Sequence, residues 1–194
     1  MKKVLIVLFF PIISVAHGQY SVSDLKNGKF SDDSSYTYTL PFENNKKVFL
    51  TQAYESKMSH KGEIALDFKL KKGTKICAAR DGVVIALRED ADKGGLKQEY
   101  LPEANYITIQ HADGSVAHYW HLQKNGVNVN RGDTIKTGQL IGYSGNTGYS
   151  AFPHLHFEVQ GYNAEGKFEQ LPTRFYTNKG VIYLRPGKFY RTVY

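Results

Sequence analysis

From Lys47 onward the chain is a succession of short apolar runs set between Gly, Asn, Asp and Pro turn signals. Runs so short and so regularly interrupted are the pattern of strands that pair with their neighbours, and they expect an antiparallel sheet or sandwich. Lys47–Ala53, Ile76–Ala79, Gly82–Leu87, Tyr106–Gln110, Val116–His121, Leu140–Tyr143 and Leu155–Gln160 read as strands. The single cysteine, Cys77, excludes an internal disulfide, so packed side chains must hold these strands together. The fold class expected is all-β, mainly antiparallel, with few short helices. Glu89–Glu103 is a charged insertion with Gly94-Gly95 near its middle, read as a mobile loop beside a groove.

Chemistry concentrates in Phe152-Pro153-His154-Leu155-His156-Phe157-Glu158. Alternate side chains of a strand share a face, so His154 and His156 emerge together while Leu155 and Phe157 emerge opposite. Packing rarely needs two such histidines, whereas two imidazoles on one face can hold a metal or divide metal binding and proton transfer. Two more segments bear histidines: Ser59-His60-Lys61-Gly62-Glu63-Ile64-Ala65-Leu66-Asp67-Phe68 and Ala117-His118-Tyr119-Trp120-His121-Leu122. One cysteine cannot form a thiolate cage, so metal ligands would be His with Asp or Glu. Two His and one carboxylate, with an open fourth position, make a hydrolytic zinc set.

These segments resemble those of the lysostaphin-type zinc endopeptidases of bacterial cell walls, metallopeptidase family twenty-three. The resemblance runs from about His60 to Glu158. It includes Gly73-Thr74, Ala78-Ala79-Arg80-Asp81-Gly82-Val83-Val84, Tyr119-Trp120-His121-Leu122 and Arg131-Gly132-Asp133. Gly138-Gln139-Leu140-Ile141-Gly142 and Ser144-Gly145-Asn146-Thr147-Gly148 continue it in the same order. It implies a lysostaphin-type β-sheet core with a barrel-sandwich-like half. It makes His60, Asp67 and His156 the ligands of one Zn2+ per chain. It makes His154 the residue that helps activate water and His121 the one that stabilises the developing oxyanion. Peptide cross-links of peptidoglycan would be the substrate. Tyr119, Phe152 and Asn146 are candidate substrate contacts; Tyr119 is placed on the His121 face by strand alternation.

Two departures from the family pattern stand out. Six residues separate His60 from Asp67, an odd offset that puts them on opposite faces of a regular strand, so a turn or bulge near Lys61-Gly62-Glu63 must re-aim one. Phe152 stands where glycine is common and is read as a pocket wall. Glu63 is a rival ligand to Asp67. The remaining titratable residues have plainer readings. His111, ahead of an Ala112-Asp113-Gly114 turn, reads as a surface residue, and His118, one off the parity of His121, as structural or rim. Cys77 reads as a small core residue, and Asp81 and Asp133 as turn formers.

Met1-Lys2-Lys3, the apolar run Val4–Val15 and Ala16-His17-Gly18 read as a signal peptide cleaved before Gln19. An uncleaved anchor is the alternative; with the leader removed, no other segment has the length to span a bilayer. Export to the periplasm, cell wall or outside of a bacterial cell follows. The domain plan expected is a leader at 1–18, a partly ordered arm at 19–45, a peptidase core at 46–160 and an extension at 161–194 packed on it. The formal charge is +7, with Lys and Arg scattered rather than bunched, which does not indicate a nucleic-acid partner. A different class of reading is a non-catalytic envelope regulator that activates other wall hydrolases. Relatives of that kind usually lack several of the five polar site residues, and this chain keeps all five. A lipoyl-like barrel-sandwich binding module would leave the histidines unexplained, and a jelly-roll oxygenase does not match their spacing.

Overall fold

The computed structural model describes residues 36–163 and 165–194; the leader and most of the arm lie outside them. A nine-stranded antiparallel sheet dominates. Its order is Thr134–Ile135, Gly82–Arg88, Tyr106–Gln110, Val116–Trp120, His154–Tyr162, Ala65–Lys69, Lys47–Gln52 and Lys188–Arg191, with Phe168–Gln170 also paired to His154–Tyr162. A second antiparallel sheet joins Lys75–Cys77, Leu140–Ser144 and Leu122–Val127. A third sheet pairs Thr37–Thr39 in parallel with Arg174–Thr177, followed by Gly180–Ile182. The fold is thus the expected all-β class, and Gln98–Glu103 is the only helix, a 3-10 turn, among the described residues.

Alternation divides the large sheet into two chemically different faces. Leu66, Phe68, Ile107, Ile109, Tyr119, Leu155 and Phe157 turn inward and are at most 1% exposed. Each such side chain contributes about 1.5–3 kcal/mol relative to leaving it in water. Tyr119 and Phe157 meet edge-on with ring centres 5.2 Å apart. The opposite face carries the polar row Gln52, Asp67 and His156, directly cross-strand from one another. The five-residue Ala65–Lys69 strand was not expected from sequence, because Asp67 interrupts its apolar pattern.

Three expectations are corrected. Tyr119 is not a substrate contact: it is fully buried on the core face, and its hydroxyl accepts a hydrogen bond from the Ala79 N–H at 2.9 Å. His111 is not a surface residue; it is 3% exposed, its ring donates to the Asp81 carbonyl at 2.7 Å, and it meets Tyr38 edge-on. The Glu89–Glu103 insertion is not a free loop. Gly94–Gly95 pairs in parallel with Gly148–Tyr149, and the Asn105 side chain bonds both the N–H and the carbonyl of Ala91.

The core also extends past both ends of the 46–160 segment. Tyr38, Leu40 and Phe42 from the arm, and Phe175, Leu184 and Tyr190 from the extension, are buried in the same cluster. Replacing Tyr119 with Phe should leave the Ala79 N–H buried without a partner and lower unfolding stability by about 1–3 kcal/mol. Chemical denaturation measures that loss, while any peptidase activity should be retained below the transition; a selective loss of activity would return Tyr119 to the site.

Candidate metal centre

Five side chains converge on the polar face. His60 comes from the turn ahead of Ala65–Lys69, Asp67 from that strand, His154 and His156 from its neighbour, and His121 from the end of Val116–Trp120. The expected re-aiming between His60 and Asp67 is a turn at Gly62, whose φ of +83° is open to glycine at little cost, closed by Glu63 N–H donating to the His60 carbonyl. His60 Nε2 then lies 3.1 Å from Asp67 Oδ2, and His156 Nδ1 lies 2.9 Å from Oδ1. His154 Nε2 is 3.5 Å from the same Oδ1.

His121 reaches this cluster by leaving the strand. Its φ is +64°, in the left-handed region that side chains other than glycine seldom occupy. That single twist breaks the alternation linking it to Tyr119. It is also why the parity argument about His118 fails. His118 lies cross-strand from Glu158 and therefore shares the polar face with His156. It stacks on Trp120 and pairs through Nδ1 with the Thr108 hydroxyl.

Hydrogen bonds set the tautomers. His60, His121 and His154 each present Nδ1 to a backbone carbonyl: Ala65 at 3.1 Å, Thr147 at 2.7 Å and Phe152 at 2.8 Å. A carbonyl only accepts, so each Nδ1 carries a proton; Nε2 is left bare on His121 and His154, whereas Nε2 of His60 donates to Asp67 Oδ2. Burial, followed by repulsion from His154 and His156, drives His121 down to about 3. Burial also lowers His154, against the pull of Asp67. Both rings are therefore neutral at pH 7. Burial would raise Asp67, but hydrogen bonds from His156 and His60 win and hold it well below the usual carboxylate range. Burial would likewise lower His60, yet the bond and charge of Asp67 raise it.

Two groups of three donors have their ligand atoms within 4.8 Å of one another: His60, Asp67 and His156, and His121, His154 and His156. Donors in a zinc tetrahedron with bonds of about 2.1 Å lie about 3.4 Å apart, so small side-chain adjustments would complete either. The first set, two imidazoles and one carboxylate, has the donor chemistry that zinc takes. Glu63 is in neither.

Phe152 stands beside His154 with ring centres 5.3 Å apart, half-buried like a wall. Asn146 is half-buried and its side chain accepts from the Ser150 hydroxyl, bracing the turn ahead of His154. Two residues that sequence reading passed over support the cluster. Gln52 donates to Asp67 Oδ2 at 2.7 Å, and the Ser150 hydroxyl lies 3.1 Å from His154 Nδ1. Gln52, a polar residue at the end of the apolar Val48-Phe49-Leu50 run, carried the one available signal.

An all-β fold with histidines and a carboxylate gathered on one sheet face is a metallopeptidase-like arrangement. Residues 59–167 match the model of peptidase family M23, and the chain belongs to that family. It is 42% identical over 94 residues to an uncharacterised metalloprotease of Buchnera aphidicola, covering 48% of this chain and 22% of that protein. It is 38% identical over 93 residues to the peptidoglycan DD-endopeptidase ShyA of Vibrio cholerae, covering 48% and 19%. The catalytic domain of the antimicrobial peptidase lysostaphin from Staphylococcus simulans shares 29% identity over 65% of this chain and 88% of that one, at TM-score 0.44. The chain thus spans about a fifth of the length of the two curated relatives.

The His121 backbone yields a test free of any assumption about chemistry. His121→Gly and His121→Ala both delete the imidazole, but only Ala retains a Cβ at φ of +64°. The Gly variant should be the more stable by about 1 kcal/mol in thermal or chemical denaturation; equal stabilities would mean that the left-handed conformation is not held.

Proposed function

We propose that this chain is a zinc-dependent endopeptidase that hydrolyses peptide cross-links of bacterial peptidoglycan, with His60, Asp67 and His156 holding one metal ion. The observation that carries the reading is the pair of neutral imidazoles, His121 and His154, whose bare Nε2 atoms adjoin that donor set. Zinc held there would supply a Lewis acid for the scissile carbonyl and lower the pKa of a water to about 7. The residues do the rest. His154, neutral and anchored on the Phe152 carbonyl, can take a proton on Nε2 without moving its ring. His121 can donate to a substrate oxygen only once Nε2 is protonated, since its Nδ1 proton is committed to the Thr147 carbonyl. It is therefore suited to stabilising negative charge late, after a proton has entered the site. Hydrogen bonds from His156 and His60 keep Asp67 ionised against its burial, and Gln52 helps hold it in place. The substrate places the enzyme in the periplasm or cell wall, consistent with the leader read at 1–18.

The regulator reading is weakened by the retention of all five polar residues in one cluster. Metal analysis of the purified chain, together with digestion of purified peptidoglycan, separates the two. About one zinc per chain and released cross-link fragments are expected. His156→Ala should lose both metal and activity, whereas His154→Ala should keep the metal and lose about 10²–10⁴-fold in kcat. A well-folded chain that takes no zinc and digests nothing when zinc is supplied would make it a regulator.

A further inference from the structure

A row of side chains crosses the polar face from its outer edge to the cluster. Phe189 lies directly cross-strand from Phe49, Phe49 from Lys69, and Lys69 from His154. Directly opposed residues of antiparallel strands share a face, so all four point the same way. The flanking row confirms it: Leu50, Phe68 and Leu155, the cross-strand set one residue along, are all fully buried in the core. The Phe49 and Phe189 rings meet at 4.9 Å, and Phe189 remains 53% exposed. Lys47 Nζ sits 4.6 Å over the Phe189 ring, and Lys69 Nζ lies 5.9 Å from the Phe152 ring centre. No ion pair among the described residues engages Lys47 or Lys69. Phe49 and Phe189 fall outside the residues matched to the family.

We infer that this shelf is a substrate subsite that binds the acidic, small-residue arm of a cross-linked stem peptide, Lys69 and Lys47 taking its carboxylates and Phe49 and Phe189 its alkyl groups. The inference rests on the peptidoglycan-peptidase reading. Three strand spacings of about 4.8 Å put Phe189 roughly 14 Å from His154, the reach of about four extended residues. Two unpaired ammonium groups over aromatic rings match an anionic peptide by charge, and the apolar ring pair matches methyl-bearing side chains. The shelf is continuous with the metal cluster through the Lys69–His154 pair, so a chain bound along it leads to the reacting groups. The strand that brings Phe189 comes from the C-terminal extension, which gives that extension a role in substrate choice.

The test is steady-state cleavage by the full chain of an acidic cross-linked muropeptide dimer and of the same dimer with its carboxyls amidated. Lys69→Gln should raise KM for the acidic dimer about tenfold, the size of one charge-assisted contact, with kcat unchanged. On the amidated dimer Lys69→Gln and the unaltered chain should be alike. Phe189→Ala should raise KM for both dimers without changing thermal stability, and Phe189→Tyr should restore it. Wild-type KM values in both variants, with cleavage intact, would overturn the subsite while leaving the peptidase reading standing. If the unaltered chain cleaves neither dimer, the peptidase reading fails and binding is read instead by NMR titration with the acidic dimer. Shifts centred on the amides of Phe49, Lys69 and Phe189 would then support the shelf. Their absence, or displacement of the dimer by peptide-free glycan strands, would overturn it.

Discussion

The Asp67 carboxylate is 3% exposed in the middle of the nine-stranded sheet, and burying a charge there would cost several kcal/mol if it were left alone. Three side chains offset that cost: His60, His156 and Gln52. They come from a turn and from both strands flanking Ala65–Lys69. The register Gln52–Asp67–His156 therefore has to be correct for the charge to be tolerated at all. A slip of one residue would turn Leu66 or Phe68 toward the polar face and Asp67 into the core. Sheet pairing and site assembly are thus one constraint.

Around that row the loops are tied rather than draped. Thr147 donates its hydroxyl to the Leu122 carbonyl, accepts from Asn105 N–H, and offers its own carbonyl to His121. Asn105 in turn bonds Ala91 at both its N–H and its carbonyl. The left-handed His121 is held between these groups, and this is where the backbone departs from a regular strand to serve the site. Preorganised imidazoles with fixed tautomers are what proton transfer needs, because no ring has to rotate when charge develops.

The chain beyond the family segment contributes more than a cover. Tyr38, Leu40 and Phe42 enter the core from one side, and Phe175 and Tyr190 from the other. The Tyr54 hydroxyl donates to the Thr173 carbonyl and accepts from its N–H, binding the extension to the loop that carries His60. The Lys188–Arg191 strand widens the sheet by one strand next to Lys47–Gln52, and so widens the surface beside the histidine cluster.

Much was legible in one dimension because strand alternation is a local rule. The placement of His154 with His156, the need for a turn at Gly62 and the all-β class follow from spacing and turn chemistry that neighbouring residues decide among themselves. Three things were not local. Tyr119 and His121 are two apart, yet they face opposite ways because His121 itself is left-handed, at the end of its strand. His111 reads as a turn flank, but the Asp81 carbonyl and Tyr38 ring that enclose it lie far off in sequence. The row from Phe189 to His154 joins residues drawn from most of the chain. Sequence by itself determined which chemical groups were present and which of them alternate within an unbroken strand. Tertiary structure alone decided which strands lie side by side, because cross-strand register depends on burying a core that no single segment contains.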